Sequence, residues 1–298
     1  MTVSSLHQLR VLVTVARTGS FSAAARELGL TQPTLSTHLK RLEAETGAIL
    51  IDRGGKKLRL TPAGQVLVDY GRRILALADE ASDHLLRESC RPPAGILAIG
   101  GTVTAGEHVL PSLLTEYTGR YPGMEVQLVI HNTAEITRRV VDGELPLAVI
   151  AGDTDHGALE ITTVAHDPQI LIAAGTHPLA GAEASPQLLR GSRMLLREPG
   201  STTRLYQERM VQRWRIPGLH VSTIASTSAI VGAVAHGLGI SLVPEVTVQD
   251  ALATGRLVGL RIEPGPEPRR LGLIRRRDRP LTVPEELFVD LVTERTGT

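Results

Sequence analysis

The 298-residue chain has one cysteine, Cys90, and only 2% aromatic residues. A lone cysteine excludes an intrachain disulfide and any multi-cysteine metal site, and it fits a reducing compartment. So few aromatics require cores built from Leu, Val, Ile and Ala, and leave no stacking platform for single-stranded nucleic acid. Long apolar runs are also missing: the longest nearly apolar stretch, 229–243, is interrupted by His236 and several glycines and is too short to span a bilayer. No cationic and apolar leader opens the chain, so a cytoplasmic protein without membrane contact is expected. There is no G-x-S-x-G, H-E-x-x-H or P-loop, and the ten histidines show no metal-ligand spacing. The expectation is therefore no enzyme, no catalytic residue, no metal and no cofactor. Glu107-His108, His131, His166 and His177 read as surface or capping groups.

What is present is a globular composition, 42% hydrophobic and 21% charged, in a chain long enough for two or three folding units. Its net charge of +1 conceals an asymmetry, because residues 1–61 hold 9 Lys+Arg against 4 Asp+Glu, and the rest 23 against 27. A basic N-terminus suits a phosphate backbone, while an acidic remainder resists nonspecific DNA binding.

Within that basic part, residues 20–40 read as two short helices joined by a tight turn. Ser20 or Ser22 caps the first, Ala23, Ala24 and Ala25 allow close packing, and Leu28-Gly29 stops it. Thr31 can cap the second, Pro33 suits its first turn, and Leu35, Leu39 and Leu42 recur at spacings of four and three. Those leucines face inward, which turns Pro33, Thr37 and Lys40 outward, with Ser36 and Arg41 beside them and Thr34 and His38 on one flank. Small hydrogen-bonding groups edged with positive charge fit a major groove, although a solvated polar face would show the same pattern. Before this pair, Leu6, Leu9, Leu12, Val13 and Ala16 mark a helix that completes a three-helix core. After it, AILIDRGGKKLRLT reads as a hairpin whose Arg53, Lys56 and Lys57 would lie along the sugar-phosphate backbone or the adjacent minor groove.

The run ARELGLTQPTLSTHLKRLEAETG followed by ILIDRGGKKLRLTPAG resembles the N-terminal domain of LysR-type bacterial transcriptional regulators. The resemblance is carried by Gln32-Pro33, Ser36, Leu42-Glu43, Gly47, Arg53 and Leu60-Thr61-Pro62-Ala63-Gly64. Ile51 departs from the Phe usual there and keeps an apolar plug. The resemblance implies an N-terminal all-α winged helix-turn-helix domain (4–61, helix-turn-helix 21–40) that binds double-stranded DNA. Ser22, Gln32, Pro33, Thr34, Ser36, Thr37, His38, Lys40, Arg53, Lys56 and Lys57 would contact the DNA.

From Thr61, with Pro62 in the first turn, a helical pattern runs to about Ser89, roughly 42 Å at 1.5 Å per residue. Leu67, Gly71, Ile74, Ala78, Ala81 and Leu85 follow a four-three alternation opposite a polar face. That narrow stripe fits a two-helix seam, and in the family this segment (62–89) is the linker and dimerisation helix. Leu67, Ile74, Ala78, Ala81 and Leu85 are its candidate interface.

Arg91-Pro92-Pro93-Ala94-Gly95 breaks the helix. Beyond it, apolar runs at 96–99, 124–130, 145–151, 170–174, 194–196, 219–224 and 239–243 alternate with helical segments, which implies parallel α/β sheets. The resemblance continues here through GGTVTAGEHVLPSLL, YPGMEVQLVIHNT, HPLA, LLREPGSTTR and GLGISLVP. It implies a two-lobed effector-binding domain like periplasmic binding proteins (94–298), with lobe I at 94–164 and 268–298 and lobe II at 165–267. The chain would cross near Val164 and return near Pro268. Pro146 departs from the Asp common in the family, so no role of that carboxylate is carried over. His131-Asn132-Thr133 and REPGSTTR resemble the branch that regulates carbon fixation and sulfur assimilation.

Three strand-to-helix turns are rich in hydroxyls: 101–104, 200–203 and 226–228. Free N–H groups at such turns attract anions, and sheet geometry brings the turns to one crevice, although ordinary N-capping would use the same residues. Thr102, Val103, Thr104, Ser201, Thr202, Thr203 and Thr227 are therefore expected to hold a small, anionic effector. Arg197 and Arg204 could add charge, or Arg197 could pin a strand end and Arg204 face solvent. The competing readings, a stand-alone binding protein and an enzyme on a binding-protein fold, lack an export signal and a catalytic constellation respectively. The family implies a homodimer or homotetramer and contact with RNA polymerase.

Overall fold

In the computed structural model, residues 5–52, 58–88, 93–154, 156–181 and 183–296 are described, with backbone alone at 80, 82–88 and 183–184. Cys90, Arg53, Lys56, Lys57 and the side chain of Leu85 lie outside them. The chain forms two compact units, which are taken separately. The first is made chiefly of residues 1–93 and the second of most of 94–298.

The N-terminal unit begins with α1 (Leu6–Thr18), α2 (Phe21–Glu27) and α3 (Gln32–Thr46). The hydroxyl of Ser20 accepts from the Ala23 N–H and that of Thr31 from the Thr34 N–H, so both capping residues do the work their chemistry suggests. Leu35, Leu39 and Leu42 are fully buried with Leu12 and Val15 of α1. The short hairpin β1 (Ile51–Asp52) and β2 (Arg59–Leu60) is antiparallel, and Ile51 is buried in the same core. Glu43 anchors the hairpin, its Oε1 accepting from Leu50 N–H at 3.0 Å.

Thr61 then starts α4 (Pro62–Glu88): its hydroxyl donates to Ile49 O at 2.6 Å and accepts from Gly64 N–H at 3.0 Å. A Cβ at Gly64 would stand 2.0 Å from the Leu50 carbonyl oxygen, so only glycine lets the first turn of α4 sit on this backbone. Gly64, Val68, Gly71 and Leu75 are buried, with Gly71 against Leu9 and Val13 of α1. The stripe expected to face a second helix is therefore partly used within the chain. Gly71 turns inward and Leu67 packs on the helix-turn-helix core. Among the described side chains of α4, the large apolar residues left outside are Val66, Tyr70, Ile74 and Leu77, 40–60% exposed, with Ala78 half-buried and Ala81 exposed.

The second unit contains β3 (Ala94–Thr102), α5 (Leu110–Arg120), β4 (Gly123–His131), α6 (Thr133–Val141), β5 (Leu147–Ala151), β6 (Leu159–Asp167), β7 (Gln169–Ala174) and β8 (Glu183–Ala184). It continues with β9 (Arg193–Leu196), α7 (Thr202–Trp214), β10 (His220–Thr223), α8 (Thr227–Ala235), β11 (Ser241–Pro244), α9 (Gln249–Ala253), β12 (Leu257–Ile262), β13 (Arg269–Arg276) and α10 (Val283–Thr296). Lobe I is a five-stranded sheet in the order β4-β3-β5-β13-β6, and lobe II is built on β11-β7-β12-β8 with the β9-β10 pair. In lobe II, Leu171, Leu196 and Leu242 pack toward α7 while their neighbours Ile172, Leu195 and Val243 pack toward α8, so the period of two covers both faces.

The sheets are mixed where wholly parallel ones were expected. β3 pairs in parallel with β4 and β5, whereas β13 is antiparallel to both β5 and β6, and β7 to both β11 and β12. The reason is topological: these strands enter and leave the crossing between lobes directly, without the crossover helix that a parallel connection needs. The first crossing falls at Pro168. Val164, where it was expected, is instead skipped in the β6–β13 register, which shifts between Leu271 and Gly272, and pairing resumes to Asp167.

Candidate functional site

In the N-terminal unit the outward face of α3 carries Gln32, Pro33, Thr34, Thr37 and Lys40 exposed, with Ser36 and His38 half-exposed. The exposed Ser22 hydroxyl donates to Gln32 Oε1 at 3.2 Å, linking α2 to the start of α3. Thr37 donates to Pro33 O at 3.0 Å, and the Thr31 and Thr34 hydroxyls share a hydrogen bond of 2.8 Å. His38 stacks edge-on with His7 of α1, centroids 4.7 Å apart. Each hydroxyl thus keeps capacity for a further partner. A polar helix face mounted on a rigid apolar core is what major-groove readout requires.

In the second unit the structure brings two of the three expected hydroxyl turns, 101–104 and 200–203, to one crevice. Thr102 ends β3 and Val103 and Thr104 follow it, Ser201 precedes α7, and Thr202 and Thr203 open it; with Asn132, Thr133, Arg197 and Arg269 they line one crevice between the lobes. Thr227, at the start of α8, reaches the crevice through Arg197, whose Nη1 donates to its hydroxyl at 2.5 Å. Thr202 donates to Thr133 Oγ1 at 2.8 Å, and Ala134 N–H donates to Gly200 O at 3.0 Å, so hydrogen bonds stitch lobe to lobe. Gly152 lies here at φ +82°, where a Cβ would come within 2.7 Å of Thr202. Thr102 Oγ1 is buried without a hydrogen-bond partner.

Of the two guanidiniums at this site, that of Arg197 was a candidate and that of Arg269 was not foreseen. The turns read as lacking a committed basic residue, yet Arg269, 2% exposed, donates from Nε to Asp167 at 2.5 Å, from Nη1 to Thr203 at 2.9 Å and from Nη2 to Thr104 at 3.0 Å. Burial pushes its guanidinium below the ordinary value, and the Asp167 carboxylate opposes that shift. An arginine so placed remains a cation. Arg197, 3% exposed, is held in a fork by Glu198 at 2.8 and 3.0 Å. Its backbone N–H also donates to the buried Gln207 Oε1 at 2.8 Å, so it pins a strand end and faces the crevice at once. Arg204 does not line the crevice: it donates to Glu208 at 2.8 Å and to Arg197 O at 2.7 Å, tying α7 to the end of β9. The sequence did hold one signal for Arg269, because it is in phase with the inward-facing Leu271 and Leu273 of β13.

A helix-turn-helix module with a hairpin wing, a long helix and a two-lobed α/β domain with a polar crevice define a ligand-responsive DNA-binding protein. Residues 6–65 match the bacterial regulatory helix-turn-helix family of the lysR type, and residues 91–297 match the LysR substrate-binding domain. The chain belongs to the LysR family of transcriptional regulators. It is 36% identical over 261 residues to the transcriptional regulator CbbR of Rhodospirillum rubrum, covering 87% of this chain and 85% of that one. A full-length, singly substituted OxyR from Pseudomonas aeruginosa has the same architecture, with a TM-score of 0.77 and 25% identity over 98% of this chain and 96% of that one. The regulatory domain of CcmR from Synechocystis PCC6803, solved in complex with 2-PG, matches with a TM-score of 0.63 and 30% identity, covering 67% of this chain and 96% of that domain. Among the described residues no helix is long and apolar enough to cross a membrane, and no cluster of His, Cys, Asp and Glu could hold a metal.

Proposed function

We propose that this LysR-type regulator acts in the cytoplasm and binds a small anionic effector in the crevice between its lobes. Thr102, Thr104, Ser201, Thr202, Thr203 and Thr227 would serve as donors and Arg197 and Arg269 as the cationic groups. The observation that carries this reading is the convergence of two buried guanidiniums and an unpartnered Thr102 hydroxyl on one crevice. The CcmR regulatory domain supports it as a relative with a small ligand. Effector binding shifts promoter binding only by its differential affinity for the two lobe arrangements. Calorimetry with candidate anions tests it. Ser201→Ala combined with Thr102→Ala should abolish effector binding, and full affinity in that double variant would place the site elsewhere.

DNA is read by the face from Gln32 to Lys40, with Arg53, Lys56 and Lys57 on phosphates, and a homodimer presents two such faces to two half-sites. The dimer forms through α4, where Val66, Tyr70 and Ile74 flank an apolar groove continued by Ala48, Leu50 and Ala63. A tetramer would use further contacts of the effector-binding domains, and RNA polymerase is a further partner. Ile74→Asp with Leu77→Asp should give monomers of poor DNA affinity; unchanged mass in light scattering would remove this interface from the account.

A further inference from the structure

We propose that lobe II carries a second small-molecule site, separate from the crevice, that takes a compact zwitterion: an α-amino acid with an apolar side chain.

The site is made where two strands part. β7 and β12 are paired from Ala174↔Leu257 to Leu171↔Leu260 and no further. Beyond that point Ile170 and Gln169 stay with β11 on one side, while Arg261 and Ile262 stay with β8 on the other. The fork holds a cavity of about 260 Å³, walled by the start of β7 and by the end of β12 with the loop after it. That is close to the lower end of the ~300–1,000 Å³ usual for small-molecule sites, so the ligand is compact. The loop is held from behind, where the buried Trp214 donates from Nε1 to Pro264 O at 2.8 Å. No residue that lines this cavity lines the crevice.

One group in the lining lacks a partner. Gln169, 8% exposed, donates from Nε2 to Asp167 O at 3.1 Å and to Pro168 O at 3.2 Å, which fixes its amide with Oε1 as the free end. Oε1 is buried and has no hydrogen-bond partner among the described residues. An unpaired buried acceptor is costly, so the cavity calls for a donor.

Charge decides what accompanies that donor. Arg261 and Glu263 are the charged residues of the lining; both are exposed, and neither has an ion pair or side-chain hydrogen bond among the described residues. A ligand with one positive and one negative group can bridge them. A carboxylate suits the guanidinium fork of Arg261, and an ammonium has donors enough for both Glu263 and Gln169 Oε1. The buried Leu171, Leu260 and Ile262 supply the apolar part of the wall. The lining holds no further charge, so a ligand side chain with a charge of its own would find no counter-ion.

Calorimetry on the full chain tests this with L-valine, L-leucine and L-phenylalanine. At least one should bind, and removal of its amino or its carboxyl group, giving 4-methylpentanoate or 3-methylbutylamine in the case of L-leucine, should weaken binding at least ~10-fold. Arg261→Ala should weaken the amino acid by a similar factor and leave the amine unaffected, and Glu263→Ala should weaken the amino acid and leave the carboxylate unaffected. Both positions are exposed, so neither variant threatens the fold. Thr102→Ala with Ser201→Ala, in the crevice, should bind the amino acid as the unmodified protein does. If none of the three amino acids binds, or if binding survives both charge variants, the site is wrong. An amine or carboxylate that binds as tightly as its parent would also overturn it, and loss of binding in the crevice variant would place the amino acid there instead. The effector reading stands or falls separately, on the titrations with anions.

Discussion

Thr34 and Thr37 on α3 and Thr104 and Thr203 in the crevice are the same side chain in opposite surroundings. On α3 the hydroxyls are exposed and the charge beside them, Lys40, is exposed too. In the crevice both threonines are 4% exposed, and the charge beside them is a guanidinium with its own internal carboxylate. DNA brings its own dense negative charge and counterions, so the protein need only hold donors in a fixed array on a rigid core. A small effector brings one or two charges into a dry site, where a cation without a counter-ion would be costly before the effector arrives. The crevice therefore carries its counter-ions with it, and the reading helix does not.

Stability should separate the two surfaces most strongly. Arg269→Leu leaves the Asp167 carboxylate buried without its partner and should cost about 3–5 kcal/mol, read as a lower midpoint in urea; an unchanged midpoint would show that the pair is not buried. On α3 the contrast lies between faces of one helix. Leu39→Ala, at a fully buried position, should cost about 2–5 kcal/mol of stability. Gln32→Ala on the outer face should leave stability within about 0.5 kcal/mol while losing ~1–3 kcal/mol of discrimination at particular bases, measured by titration of matched and altered duplexes. Equal losses on every sequence would move Gln32 from reading bases to holding phosphates.

The smallest effect concerns a carboxylate that has arginine partners without burial. Hydrogen bonds from Arg138 and then Arg139 hold the Glu135 carboxyl at about 2, below its ordinary 4.5. Its contribution is fully present above pH 4.5 and is lost as pH falls toward 2, because the unfolded chain takes up a proton that the folded one refuses. Solvent screening at this partly exposed site should keep the loss below ~1 kcal/mol. Glu135→Gln should remove that part of the acid dependence, and an unaltered pH profile would show that the pairs do not contribute.

Elements set by neighbouring residues were legible in the chain alone. The caps Ser20, Thr31 and Thr61, the inward leucines of α3 and the pairing of β1 with β2 each depend on groups a few residues apart, so local chemistry and period decide them. The turns at 101–104, 200–203 and 226–228 were legible for the same reason: each sits where a strand hands over to a helix. β6 was not, since LEITTVAHD mixes polar and apolar positions and is mostly half-buried, and neither was the phase of α4, which depends on Leu9 and Val13 some 60 residues earlier offering the surface that Gly71 fills. Which polar groups the hydroxyl turns would meet was likewise undecidable locally. Which charges stand beside those turns depended on Arg269 meeting Asp167 across 102 residues of chain, because a buried ion pair is stable only when folding has brought both charges and their hydroxyl partners to the same point.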